Sequence, residues 1–325
     1  MRFIAERLFH SLFVLWAVVT ILFLMFRLMP GDPLAVYLSE TLTEEAQNSI
    51  REQFGLHLPL WQQYFVYLAN LVRGELGVSF HIKRPVTDII LAVLPNTLAL
   101  TLTGLVIAYA FGVVAGAFLA WKRGTWIEGT VIPVALATRA APEFWVGMVL
   151  LAVFSFSLGW FPAGGANTAG SFYASEWHRM LSLDFLHHLV LPALTLALYL
   201  QGLPLLLMRS TMLEVMHEDF VTMARMKGVS ERRIVLGHAA RNALLPVVTA
   251  FTLSLGGLIG GNVVVELVFS WPGLGRILVN AVLSKDYPLA QGAFFLVALA
   301  LVTMNFVADV LYAALDPRVA HGRAG

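Results

Sequence analysis

Residues 209–246 read RSTMLEVMHEDFVTMARMKGVSERRIVLGHAARNALLP, the most polar long stretch of an otherwise oily chain, set between two apolar runs each long enough to cross a bilayer. It carries six of the chain's Lys and Arg residues, Arg209, Arg225, Lys227, Arg232, Arg233 and Arg241, a density that keeps a membrane-protein loop in the cytoplasm. The spacing predicts one helix over 212–226, with Leu213, Met216, Phe220 and Met223 on one stripe. Gly228 suits a left-handed cap after it, and Ser230 suits the N-cap of a second helix running to about Leu244. Pro246 then ends the polar stretch and opens the next apolar helix from its first turn. The expected product is a rigid helix–turn–helix elbow projecting from a membrane domain. From composition alone, a cytoplasmic hairpin with no partner fits equally well. A DNA-binding reading of the same turn fits poorly, because spans pin both of its ends and keep it out of a major groove.

Outside the elbow, composition narrows the class. At 325 residues, 58% hydrophobic, 13% charged and with a mean hydropathy of +0.77, the chain is too apolar for a soluble domain of its size. A net charge of +1 gives no electrostatic case for nucleic acid, and twelve of the twenty-one basic residues fall in segments expected inside the cell. The absence of cysteine removes disulfides, thiolate metal sites and cysteine nucleophiles together. The first apolar run has no small-residue cleavage site behind it, so it reads as a retained anchor.

Arg2 and Arg7 precede that run and hold the N-terminus inside. The pattern then gives six spans in one membrane domain, 1–325, at 1–28, 91–121, 131–160, 189–208, 246–268 and 290–315. Between them lie extracytoplasmic segments at 29–90, 161–188 and 269–289, the cytoplasmic loop at 209–245 and a cytoplasmic tail at 316–325. In the first outer segment, Thr41 and Glu44 form a capping-box pair before a helix that stops at Gly55. Pro59 opens a second helix that stops at Gly74, its Trp61, Tyr64, Phe65 and Leu68 suited to the outer membrane surface or to neighbouring spans. Gly112 and Gly116 make a small-residue contact face, for a second chain or for a helix of the same one. Pro192 and Pro204 predict a kinked fourth span.

Charges inside the apolar runs are the candidates for a translocation path or gate: Arg139, Glu143, Glu266 and Asp309. Arg139 and Glu143 flank Ala141-Pro142 and share a face if the helix continues; they either line a substrate path or pair at the cytoplasmic interface. FSWPGLGR, residues 269–276, must turn, with Phe269 and Trp271 as interface anchors. His178, His187 and His188 lack acidic or thiol neighbours at ligand spacing, so no metal site is expected. The chain has no G-x-x-x-x-G-K-[ST] phosphate loop, no H-E-x-x-H and no G-x-S-x-G; it is not read as an enzyme, and any ATP hydrolysis must come from a partner.

The run EDFVTMARMKGVSERRI followed by HAARNALLPVVT resembles the EAA-type coupling loop of ABC importer permeases, specifically the peptide/nickel branch, whose version reads roughly E-D-Y-x-x-x-A-R-A-K-G-L. Phe220 stands where Tyr is usual and Met226 where Ala is usual, and both keep the apolar face. PGDP, GELGVSF, the LP before span four, GGNVVVE, FSWPGLGR, KDYPLAQG and the closing DPR follow in the order expected for permeases of dipeptide, oligopeptide and nickel importers, so the likeness covers nearly the whole chain. The resemblance implies an all-α, type I importer permease fold in a bacterial inner membrane. It makes Glu218, Asp219, Thr222, Ala224, Arg225, Lys227 and Gly228 the ATPase-coupling element; receptor docking is expected from Pro162 to Asp184 and at the FSWPGLGR turn, at Trp271, Pro272 and Gly273. It further implies a second, related permease subunit, two ABC ATPase subunits that carry ATP and Mg, and an extracytoplasmic solute-binding protein; no cofactor is expected on this chain itself. Short peptides are the commonest cargo of the group, and nickel complexes and glutathione share its signature. The rival from another class is a self-contained secondary transporter or channel, which relies on mid-membrane acids and inverted repeats.

Overall fold

The computed structural model describes residues 2–27, 58–255 and 262–315. The expected helix before Gly55, the glycine pairs at 256–257 and 260–261, and the tail at 316–325 lie outside them. Among the described residues the chain is helical, with one isolated β-bridge between Val78 and Pro85. Among the described residues five helices are long and apolar enough to cross a membrane, and a sixth span is reached when Trp126–Ala140 and Glu143–Ser157, bent by 105°, count as one. The six-span, all-α expectation therefore holds.

The spine is α3, Val86–Trp121, reached after α1, Arg2–Arg27, and the amphipathic α2, Leu60–Arg73. Lipid is as apolar as leucine, so spans associate by close van der Waals fit rather than by escape from water. The glycines of α3 supply that fit. A Cβ on Gly104 would lie 2.7 Å from Leu196 Cδ2, one on Gly112 2.9 Å from the Leu205 nitrogen, and one on Gly116 2.5 Å from the Leu205 carbonyl oxygen. The small-residue face is thus filled from within the chain by α7, Leu183–Leu200, and α8, Gly202–Val215. Together α7 and α8 overrun both ends of the expected 189–208 span, with a break at Gln201.

Span three departs from a straight helix more sharply than expected. α4, Trp126–Ala140, ends at Ala141, which takes the extended conformation that a following proline imposes. α5, Glu143–Leu150, restarts after Pro142 and runs into a π-turn, Leu151–Ser157. Because the helix does not continue, Arg139 and Glu143 do not share a face and the expected ion pair does not form.

After the short α6, Glu176–Met180, and the pair α7–α8, the predicted single helix over 212–226 is two. α8 stops at Val215, Glu218 is extended (ψ 151°), and α9 runs Asp219–Met226. Met212 is fully buried in the cluster around Tyr109 and Met208, with Leu213 and Met216 packed against it, whereas Phe220 and Met223 are exposed; one straight helix could not serve both surroundings. The second expected boundary also moves. α10, Glu231–Arg233, passes through a π-turn, Ile234–Ala239, into α11, Ala240–Leu255, so Pro246 lies inside a helix rather than opening one. Ala243 and Val247 beside it are buried, and that packing holds the helix through the lost hydrogen bond.

The region expected as an outer loop at 269–289 contains helix. α12, Val263–Val268, leads into the FSWPG turn, α13 spans Leu274–Leu283, and α14, Tyr287–Leu315, closes the described chain. Phe269 and Trp271, expected at the membrane interface, are instead buried against Phe185 and Leu100. α1 packs on α14 and turns residues such as Phe9, Phe13 and Ile21 outward.

Candidate functional site

The elbow is built from short-range rules. Asp219 sits in the first turn of α9, where a carboxylate complements the helix dipole. Val221 is the one buried residue of α9, and α9 packs against the following π-turn, in which Ile234, Val235 and Ala239 are buried as well. At the other end Gly228 has φ +76°; its N–H donates to the Arg225 carbonyl at 3.0 Å and the Val229 N–H to that of Ala224 at 3.2 Å, which terminates the helix in a left-handed cap. Arg225 Nε donates to Glu231 Oε1 at 2.6 Å and joins the two arms across the turn. Both partners are exposed, so the pair contributes at most about 1 kcal/mol.

Beneath, the elbow is continuous with the core. Val235, Ala239, Ala243 and Val247 pack with Tyr109 and Ala117 of α3 and Met208 of α8. Arg209, counted in the sequence as a loop cation, lies on α8 and pairs with Glu128 of α4, whose other oxygen accepts from the Gly124 N–H at 2.6 Å. Above, α9 presents Phe220, Met223 and Met226, the last 77% exposed, with Thr222 and Lys227 also exposed and Ala224 half-buried. The apolar residues Phe220, Met223 and Met226 are open to the outside, and the exposed cations Lys227, Arg232 and Arg233 follow them in the chain.

The four charges expected along a path are not brought together. Arg139, at the end of α4, places its guanidinium 6.0 Å from the Tyr199 ring centroid. Glu143 starts α5, and its Oε1 is buried without a hydrogen-bond partner. Asp309 pairs with Arg7 at 3.0 Å, tying α14 to α1. Glu266 is fully buried at the end away from the elbow.

There Glu266 belongs to a knot that sequence reasoning missed. Thr97 Oγ1 donates to Glu266 Oε1 at 2.7 Å and accepts from the Leu274 N–H at 2.7 Å, while the Arg276 N–H donates to Glu266 Oε2 at 2.9 Å. The neighbouring Asn96 receives the Trp271 indole N–H on its carbonyl at 3.0 Å, donates through Nδ2 to the Pro272 carbonyl at 2.9 Å, and accepts Arg179 on Oδ1 at 2.6 Å. Gly273 has no room for a side chain, since a Cβ there would overlap the Glu266 carboxyl. Trp271 and Gly273 are buried and Pro272 half-buried, so of the three residues expected to dock a receptor only Pro272 offers surface. A second tie uses Asp286, which accepts from Ser79 Oγ at 2.5 Å and from the Phe80 and His81 N–H groups at 3.1 and 3.0 Å. The polar pair Asn96-Thr97 after Pro95 in an apolar run was the available signal for the first; nothing local marked the second. The outer histidines serve the loop: a His187 ring nitrogen lies 2.8 Å from the Trp160 carbonyl and one of His188 2.8 Å from that of Asp184.

Comparison with known proteins decides the family. The binding-protein-dependent transport system inner membrane component matches residues 112–321, and its N-terminal companion matches residues 1–101. The chain belongs to this family. The permease is 38% identical over 345 positions to the di/tripeptide transport system permease protein DppB of Pseudomonas aeruginosa (strain UCBPP-PA14), covering 99% of this chain and 100% of that one. It is 37% identical over 319 positions to the glutathione transport system permease protein GsiC of Escherichia coli (strain K12), covering 98% and 99%. It is therefore a permease subunit of an ABC importer of the peptide and oligopeptide group, a multi-pass protein of the bacterial inner membrane and a transport component rather than an enzyme. Such a subunit works with ATPase and binding-protein components.

Proposed function

We propose that this permease forms half of a pore for short peptides and takes mechanical work from an ATPase through α9. One relative is named for di- and tripeptides and another for glutathione, itself a tripeptide, so the shared cargo chemistry is a small peptide backbone. A second, related permease subunit completes the pore. Two ATPase subunits hold the ATP and Mg, and a solute-binding protein delivers cargo at the end away from the elbow. The six basic residues of 209–246 set the elbow, and with it both termini, in the cytoplasm.

The observation that carries this reading is the contrast within α9: Val221 is buried while Phe220, Met223 and Met226 are exposed. An exposed apolar stripe on a helix suits insertion into a groove of another protein. Glu218 and Asp219 start that helix, Thr222, Ala224, Arg225 and Lys227 lie along it, and Gly228 sets the angle at which it leaves.

Gly228 offers the test. Nothing lies within 4 Å of a Cβ built there, so a substitution acts through the backbone alone. A β-branched side chain at φ +76° costs about 1–2 kcal/mol, whereas Asn tolerates the left-handed region. In the reconstituted complex, Gly228→Val is expected to reduce receptor- and solute-stimulated ATPase activity roughly tenfold for a strain of that size, with Gly228→Asn near wild type. Full stimulation in Gly228→Val would count against the coupling role. Uptake by the reconstituted chain without any ATPase would instead favour a self-contained transporter.

A further inference from the structure

At the end opposite the elbow, α1, α2, the turn that follows α2 and the first turns of α14 surround a half-open cavity of about 300 Å³. Apolar side chains such as Phe26, Val66 and Leu76 make much of its wall, but Arg27, Gln63, Tyr67 and Gln291 all reach it, and Asn70 and Glu75 line it as well. Among the described residues, four buried side-chain polar atoms have no hydrogen-bond partner. Three of them, Gln63 Oε1, Tyr67 Oη and Gln291 Nε2, belong to this one cavity. Such atoms are rare and costly, so three around one space point to something that fills it.

Their orientations are fixed. Gln63 Nε2 donates to the Leu58 carbonyl at 2.7 Å, which leaves Oε1 unmatched, and the residue is only 9% exposed. The Tyr67 ring stacks on Phe23 with centroids 5.6 Å apart, and Arg27 lies over the same Phe23 ring at 5.9 Å. Tyr67 and Gln291 are close neighbours, yet no hydrogen bond of good geometry joins them. Burial pushes the Tyr67 hydroxyl up to about 12, so it remains a protonated donor. Among the described residues no carboxylate stands within ion-pair distance of Arg27.

We propose that this cavity binds the phosphate headgroup of a membrane phospholipid. The guanidinium of Arg27, the Tyr67 O–H and the Gln291 amide N–H are donors suited to anionic oxygens, and the Gln63 carbonyl is left for a headgroup hydroxyl or ammonium. The surroundings select a lipid over a free anion. Arg27 closes a 24-residue span, which places it at headgroup depth. Ile21, Leu24 and Met25 on α1, with Trp61, Phe65 and Val66 on α2, are exposed apolar surface beside the cavity along which acyl chains can lie. A headgroup held there joins α1 and α2 to α14.

The test uses the assembled importer complex, stripped of lipid in detergent and titrated with palmitoyl-oleoyl phosphatidylglycerol, the matching phosphatidylethanolamine, dioleoylglycerol or inorganic phosphate, with bound lipid counted by native mass spectrometry. Both phospholipids are expected to give one saturable bound molecule that dioleoylglycerol and inorganic phosphate do not. Arg27→Gln is expected to weaken it about tenfold, the loss of one charge-assisted hydrogen bond, and Tyr67→Phe, which keeps the Phe23 stack, about threefold. Should Arg27→Gln fail to assemble, Tyr67→Phe and Gln291→Leu decide. Unchanged phospholipid retention in the variants overturns the proposal. So does dioleoylglycerol bound as tightly as phospholipid, which would mean an acyl groove, or inorganic phosphate bound alone, which would mean a free-anion site.

Discussion

Gly116→Val is expected to destabilise the permease by about 3 kcal/mol and to remove most of its correctly inserted, assembled form. The reason is what a side chain would meet. A Cβ at Gly116 sits 2.5 Å from the Leu205 carbonyl oxygen and 2.9 Å from Met208 Cβ, and the first of these is backbone that cannot rotate aside. α3 and α8 would have to separate along their most extensive contact, and that contact carries the cluster of Tyr109, Ala117, Met208 and Met212 on which the elbow's π-turn rests. A change far from any solute would therefore loosen the base of α9. Gly129→Ala is the control: it lies in a helix, with nothing within 4 Å of its built Cβ, and Ala is favoured there by up to about 1 kcal/mol. Yield and thermal unfolding of the purified complex would separate the two. Equal stability for Gly116→Val and wild type would overturn the close α3–α8 contact.

The parts legible in the sequence were those with a local signature. Six apolar runs, the cationic loop and the Gly228 cap each follow from composition or from one residue's backbone preference; the cap is present, and among the described residues five helices and one bent pair are long and apolar enough to span. The glycines of α3 were legible as a contact face but not as to which helix filled it. What failed depended on surroundings. The periodicity of 212–226 is continuous, yet Leu213 and Met216 pack on the core while Phe220 and Met223 are left exposed, so the chain breaks at Met216–Glu218. Pro246 has the look of a first-turn proline, but buried neighbours carry the helix through it. The Pro-Gly turn of FSWPGLGR marks an outer loop in the sequence, yet Leu274–Leu283 is helical, with Leu274 and Ala281 buried. Of the acids singled out, Glu143 does not meet the neighbour in sequence that suggested a pair, and Glu266 and Asp309 carry no local sign of their partners, since Arg7–Asp309 and Thr97–Glu266 join residues from distant parts of the chain.

Glu266→Ala is expected to cost about 3 kcal/mol, and Glu266→Gln about 1 kcal/mol, because the carboxyl is an acceptor in a dry place surrounded by donors. The Arg276 N–H and the Thr97 hydroxyl both point at it, and Thr97 in turn receives the Leu274 N–H, so the start of α13 hangs from this one side chain. Alanine leaves the Arg276 N–H without an acceptor and removes the group that fills the space against Gly273. Glutamine keeps one oxygen for Arg276, and its amide can donate to Thr97, whose hydroxyl then loses its own acceptor. The order Ala worse than Gln, read by thermal unfolding of the complex, is what a structural knot requires. A residue on the solute path behaves differently: both variants would keep wild-type stability and lose uptake, with solute affinity changing in step. If Glu266→Ala unfolds like wild type but no longer transports, the knot is incidental and the carboxyl faces cargo. With Glu266 fully buried and its oxygens already engaged by its own chain, loss of stability is the expected result, and uptake should fail only as far as folding does.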